Sequence, residues 1–226
     1  MKLRLHSAIK LLAVTAAMAL ASSASAQSAG QWTAKVGVNE ITPKVDSGDV
    51  SAPALPGTKG DVNSSTRPIF VFAYGLTDNI SAELDLGLPY KHTLYGAGAV
   101  QGIGKIGTVE ALPPTAFIQY RFFEPSARVR PYVGLGVTYA YFQKATGSGQ
   151  LTALTNTGGT PVTFKLDNKV AGTGQIGVAV TISERWFADL AITKTKLKTR
   201  VNFSTGQTQD MRLDPQAVSI GFGYKF

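Results

Sequence analysis

The chain has 226 residues, no cysteine, and a formal net charge of +8. Without cysteine there can be neither a disulfide framework nor a thiolate metal site. The basic residues lie singly along the chain, which fits solvated strand ends near anionic headgroups and argues against a nucleic-acid surface.

The first 26 residues read as a cleaved signal peptide. Lys2, Arg4 and Lys10 form a basic start, and Leu11 to Leu20 (LLAVTAAMAL) is apolar or small apart from Thr15. Such a run is too short for a hydrocarbon core of about 30 Å, which takes about 20 apolar residues. Ala24-Ser25-Ala26 offers the small residues a signal peptidase reads, so cleavage is expected before Gln27. Losing the leader leaves 19 basic residues against 14 acidic ones, net +5, and residues 27–226 are expected to form one domain.

From there the dominant pattern is period-two alternation, the signature of strands. Trp32, Ala34, Val36 and Val38 share one face against Thr33, Lys35, Gly37 and Asn39. Pro68, Phe70, Phe72 and Tyr74 share a face, and so do Ile80, Ala82, Leu84, Leu86 and Leu88. Pro114, Ala116, Ile118, Tyr120 and Phe122 follow, then Val133, Leu135, Val137, Tyr139 and Tyr141. Ile176 to Ile182, Trp186 to Ile192 and Val218 to Phe226 repeat the pattern, for eight strands in all.

The opposite faces are rich in Gly, Ala, Ser and Thr and poor in Lys and Glu. A soluble barrel would turn its apolar faces inward and show a charged exterior. A membrane barrel turns them outward and keeps small or polar residues in the narrow lumen. Connections alternate in length. Thr42 to Asn63, Lys91 to Thr108, Gln143 to Leu166 and Thr195 to Arg212 are long; Thr77–Asn79, Glu124–Arg128 and Ser183–Arg185 are short. Long outer loops and short periplasmic turns are the pattern of outer-membrane barrels. The Gln143–Leu166 stretch, rich in Gly and Thr, is expected to be a mobile loop. Tyr90, Tyr120, Phe122, Phe123, Tyr139, Tyr141 and Trp186 are expected in the interfacial girdles. The expected fold is therefore all-β: an eight-stranded antiparallel up-and-down transmembrane β-barrel in the outer membrane of a Gram-negative cell, preceded by the signal peptide.

Four stretches resemble the OmpW family of outer-membrane proteins, whose relatives include AlkL-type barrels. They are Tyr74 to His92 (YGLTDNISAELDLGLPYKH), Thr108 to Arg121 (TVEALPPTAFIQYR), Arg130 to Tyr139 (RPYVGLGVTY) and the ending from Arg212 (RLDPQAVSIGFGYKF). Phe222, Tyr224 and Phe226 on one face look like the outer-membrane assembly signal, read by the barrel-assembly machinery. The resemblance implies a channel for passive uptake of small, mostly hydrophobic molecules, with lateral exit through the barrel wall. Prolines give that exit a physical handle. Pro89, Pro113 and Pro114 flank one long connection and cannot donate ladder hydrogen bonds, which fits either a gap or bulge in the wall there or strand ends that merely shape the barrel.

On this register Glu83, Asp85, Gln119, Arg121, Gln175 and Asp189 face the lumen. An ion-paired plug and a solute-selecting constriction both fit. The narrow interior favours the plug, with Arg121 compensating Glu83 and Asp85. Apolar cargo is expected higher up, among Ile69, Val71, Phe117 and Phe142.

Other signals carry less. Gly102-Ile-Gly104-Lys105-Ile-Gly107 matches a dinucleotide fingerprint, but no helical pattern follows it. His92, the single histidine after the leader, is expected at the rim, with no serine standing out as a triad partner. No enzyme, cofactor or metal is expected. The expected partners are outer-membrane lipid and small apolar solutes, with no nucleic acid. The alternative is a structural or surface-docking barrel, for instance a stress protein or a phage or bacteriocin receptor, without transport.

Overall fold

A computed structural model describes residues 28–156 and 158–226, so the expected signal peptide lies outside the described residues. The strands in chain order are β1 (Trp32–Thr42), β2 (Asp46–Ser47), β3 (Thr58–Val62), β4 (Ser65–Gly75), β5 (Ile80–Gly87), β6 (Tyr90–Gly98), β7 (Lys105–Leu112), β8 (Thr115–Arg121) and β9 (Val129–Gly147). A short helix α1 (Gly149–Thr155) precedes β10 (Phe164–Leu166), β11 (Lys169–Thr181), β12 (Trp186–Thr195), β13 (Lys198–Phe203), β14 (Thr208–Arg212) and β15 (Gln216–Lys225).

Eight of these strands make a closed antiparallel barrel. Its order is β1, β4, β5, β8, β9, β11, β12 and β15, and β15 returns to pair with β1 from Thr33↔Lys225 to Thr42↔Gln216. Each alternating segment of the sequence supplies one wall strand. Closure follows from the solvent: hydrocarbon offers no hydrogen bonds, so no edge can be left open.

The faces are sorted as lipid requires. Val36, Phe72, Ile118, Leu135, Ile176 and Ile220 are exposed on the outside, while Lys35, Glu83, Gln119, Gln175 and Asp189 are buried inside. So large an outward apolar surface is stable only against hydrocarbon, which rules out the soluble barrel. Small residues make room inside. The Tyr132 ring lies over Gly177 and the Phe187 ring over Gly223, and a Cβ at either glycine would come within 2.3 and 2.1 Å of ring atoms.

The long connections are largely folded. The upper part of β9 pairs with β7, β7 with β6, and β6 with β3. A second sheet is ordered β10, β13, β14, β2. The segment expected to be a mobile loop holds the end of β9, then α1 and β10. Ser148 caps α1, its Oγ accepting from the Leu151 amide at 3.3 Å. Leu151 then buries with Val162, Phe164, Val201 and Met211 in an apolar core above the barrel. Such burial offsets the chain entropy that leaves an isolated Gly/Thr loop mobile.

One smaller expectation is also corrected. Tyr90 is not in a girdle; it points inward and is 1% exposed, whereas Tyr120, Phe122, Phe123, Tyr139, Tyr141 and Trp186 are exposed. Gly102 and Gly104 belong to the β6–β7 hairpin turn, with φ of 89° and 84°, a backbone state other residues resist.

Candidate functional site

The lower half of the lumen, at the short-turn end, is closed by a polar network. Lys35 on β1 places its Nζ 2.5 Å from Asp189 Oδ1 and 3.9 Å from Glu83 Oε2. The Tyr132 hydroxyl lies 3.1 Å from both Asp189 oxygens. Gln119 Nε2 donates to Glu83 Oε1 and Gln175 Oε1, each at 2.7 Å, and Gln175 Nε2 donates to Glu83 Oε1 at 3.2 Å. Gln119 Oε1 in turn accepts from Arg121 Nη2 at 2.8 Å and Ser81 Oγ at 3.1 Å. With Gln119 0% exposed, these residues bridge β1, β5, β8, β9, β11 and β12 across the barrel.

The expected role of Arg121 changes. Its Nη2 stands 4.0 Å from Glu83, it donates hydrogen bonds to Gln119 and Ser81, and its guanidinium sits 4.8 Å from the Tyr132 ring centroid. The closest cation to the buried carboxylates is Lys35. Its place on the small, polar face of β1 was visible in the alternation, yet it was not counted among the lumen residues. Charge proximity across strands far apart in sequence supplies the signal that was missing. Asp85 lies one layer higher; its Oδ1 is buried without a hydrogen-bond partner among the described residues and borders the cavity above.

A row of threonine hydroxyls crosses the barrel above the plug. Thr115, Thr138, Thr173 and Thr195, on β8, β9, β11 and β12, are linked at 2.8, 2.6 and 2.9 Å. Thr115 Oγ1 also donates to the Pro113 carbonyl at 3.2 Å. A carbonyl only accepts, and each hydroxyl has one proton. Thr138 must therefore donate to Thr115, Thr173 to Thr138, and Thr195 to Thr173. The row has one direction, and every proton in it is committed.

Above this row lies a cavity of about 110 Å³. Ile69, Phe117 and Phe142 line it together with Leu94, Val109 and Met211. Val71 also points inward, but one step lower on β4, paired in register with Lys35 and Asp85, and it does not line the cavity. His92, expected at the rim, is instead buried in the cavity wall, its Nδ1 2.8 Å from the Asn63 carbonyl oxygen.

The wall beside this cavity is discontinuous. Between β5 and β8 the paired register ends at Asp85↔Thr115 and resumes between β6 and β7 at Tyr90↔Ala111. Residues 86–89 face 112–114 across the seam, which therefore holds Pro89, Pro113 and Pro114. Asp85, Gly87 and Tyr90 on one side, and Ala111, Pro113 and Thr115 on the other, all line the cavity. The Tyr90 ring covers Gly87, where a Cβ would lie 2.9 Å from it, and the Tyr90 hydroxyl accepts from Asn39 Nδ2 at 2.9 Å. The Pro89 carbonyl accepts from Arg67 Nε at 3.1 Å rather than from across the seam.

Comparison with known proteins agrees with this architecture. The OmpW family model matches residues 28–226. Outer membrane protein W of Salmonella typhi is 33% identical over 217 residues, covering 92% of this chain and 93% of that protein. Outer membrane protein AlkL of Ectopseudomonas oleovorans is 24% identical over 202 residues, covering 87% and 83%. Among solved structures, the outer membrane protein OprG from Pseudomonas aeruginosa superposes with a TM-score of 0.80 at 26% identity, over 89% of this chain and 98% of that one.

Proposed function

This chain belongs to the OmpW family of outer-membrane proteins, and from that premise we propose that it passes small, mostly apolar molecules passively into the membrane through the proline-flanked seam in its wall. The observation that carries the reading is the contact between cavity and seam: both sides of the unpaired stretch line the apolar cavity. Downward passage would take an apolar solute through the Lys35–Asp189–Glu83–Gln119 network, where every displaced polar group loses a partner. Sideways passage places it in hydrocarbon, which favours transfer from water by roughly 0.8 kcal/mol per CH₂. The interior thus sets a direction for an apolar solute.

A docking role without transport is the second reading, supported by the folded outer sheets, which give the outer end a fixed surface. Uptake into proteoliposomes separates the two. The expected result is faster entry of an apolar solute and no change for a polar solute of similar size. Acceleration of both would mean an open aqueous pore. Acceleration of neither would leave the docking barrel.

A further inference from the structure

The lipid-facing wall is uneven along β11. On β11, Thr173 and Gln175 point inward, so Gly172 and Gly174 face out, and a Cβ at either glycine would meet nothing within 4 Å. On one flank Val137 and Leu135 of β9 stand in register with them. On the other, Gly174 pairs with Lys194, and the Lys196 amide donates to the Gly172 carbonyl at 3.0 Å. The missing side chains leave a trough: Gly174 lines an outer-surface groove of about 810 Å³, and Gly172 lies one outward position beyond it on the same strand. The sides of the groove are Ile118, Val133, Leu135, Ile176 and Ile192, and Lys194 stands at its outer end.

Three cations gather there. Lys194, Lys196 and Lys198 occupy successive outward positions, alternating with buried Thr195, Leu197 and Thr199. At about 3.3 Å of rise per residue, neighbours on one face are roughly 7 Å apart. The carboxylates nearby are engaged elsewhere: Asp210 pairs with Arg200, and Asp46 and Asp214 with Arg212. Among the described residues none of the three lysines forms an ion pair. Like charges this close beside hydrocarbon repel with little screening, and an anion between them relieves that repulsion.

We propose that this groove is a binding site for one membrane lipid with a phosphorylated headgroup of net negative charge, from the outer leaflet. Its acyl chain lies along the trough over Gly172 and Gly174, and its phosphate lies against Lys194, Lys196 and Lys198. Apolar sides capped by cations at the outer end are the complement of such a lipid, and the outer end is where that leaflet's headgroups lie. The site is separate from the interior cavity and does not depend on the transport reading.

The test is native mass spectrometry of the full barrel extracted from bilayers of phosphatidylcholine doped with a diphosphorylated glycolipid. In parallel samples the glycolipid is dephosphorylated or replaced by inorganic phosphate. One phosphorylated glycolipid per barrel, retained at least tenfold over phosphatidylcholine, is expected, with no retention of free phosphate or the dephosphorylated lipid. The triple variant Lys194→Gln, Lys196→Gln, Lys198→Gln should lose it, and Gly174→Leu, which fills the trough, should lose most of it. A control triple, Lys59→Gln, Lys91→Gln, Lys105→Gln, with the same charge change on other outer strands, should keep it. A heat-dependent gel shift confirms that each variant is a folded barrel. Equal retention of the dephosphorylated lipid, retention by the lysine triple, an unaffected Gly174→Leu, or equal loss in the control would each overturn the site.

Discussion

Lys35 shows what one side chain decides in a narrow lumen. It stands 2.5 Å from Asp189 and 3.9 Å from Glu83, in an interior where an uncompensated charge has no water to turn to. Removing one partner of a buried pair commonly costs about 3–5 kcal/mol, because the other charge stays behind. Lys35→Met keeps an unbranched side chain one atom shorter and removes the charge. The barrel should then unfold at clearly lower urea concentration and shift its heat-dependent gel band to lower temperature. Arg121→Ala should cost less, since Arg121 is 4.0 Å from Glu83 and donates to the neutral oxygens of Ser81 and Gln119. An Arg121→Ala loss as large as that of Lys35→Met would mean that the two cations share the carboxylates equally. The alternation named Glu83, Gln119, Gln175 and Asp189 as inward because position along a strand fixes the face. Which cation meets which anion depends on strands that the chain brings together only after the barrel closes.

At the scale of elements, the seam is a local failure of pairing with a covalent cause. In a strand, a residue's amide and carbonyl point to the same neighbour, and the Pro114 carbonyl accepts from the Tyr139 amide on β9 at 3.0 Å. Residue 113 therefore faces β5 and β6, where as proline it has no hydrogen to offer. Pro113→Val supplies that donor. A net hydrogen bond of about 1 kcal/mol shifts an open–closed equilibrium about fivefold. Uptake of an apolar solute should fall by about that factor while stability is kept or raised; unchanged uptake would remove the seam from the route. The prolines were legible in the sequence as missing donors. That residues 86–89 and 112–114 face each other across the gap, with Tyr90 turned inward over Gly87, was not. Nor was the pairing of the long outer connections, since short polar strands show little periodicity of their own and hold together through one another and the core around Phe164 and Met211.

For the molecule as a whole, closure is the governing step. The β1–β15 pairing joins the two ends of the wall, and the Phe226 amide donates to the Trp32 carbonyl at 2.9 Å. Around that joint the rings of Trp186 and Tyr224 are 5.0 Å apart, and those of Tyr224 and Phe226 5.3 Å apart, a band at the short-turn end. Deleting Phe226 removes one bond and one ring from a wall that has many. The completed barrel should thus lose little stability, while its insertion into the outer membrane should drop sharply if the terminal aromatic is the assembly signal. The fraction of heat-modifiable barrel in isolated membranes measures this, and normal levels would refute the signal.

The sequence by itself determined the eight wall strands, their inside and outside faces, the lipid environment and the family. The first three rest on local alternation, chain length and composition, and the family on four stretches that resemble it, all of which survive without knowledge of contacts. Only the tertiary structure decided that Lys35 is the counter-ion, that the threonine hydroxyls form one directed row, that His92 and Tyr90 turn inward, and that Gly174 and Lys194 meet in one outer groove. Those features join residues distant along the chain, and their energies depend on distances of a few ångströms that exist only once the barrel has closed.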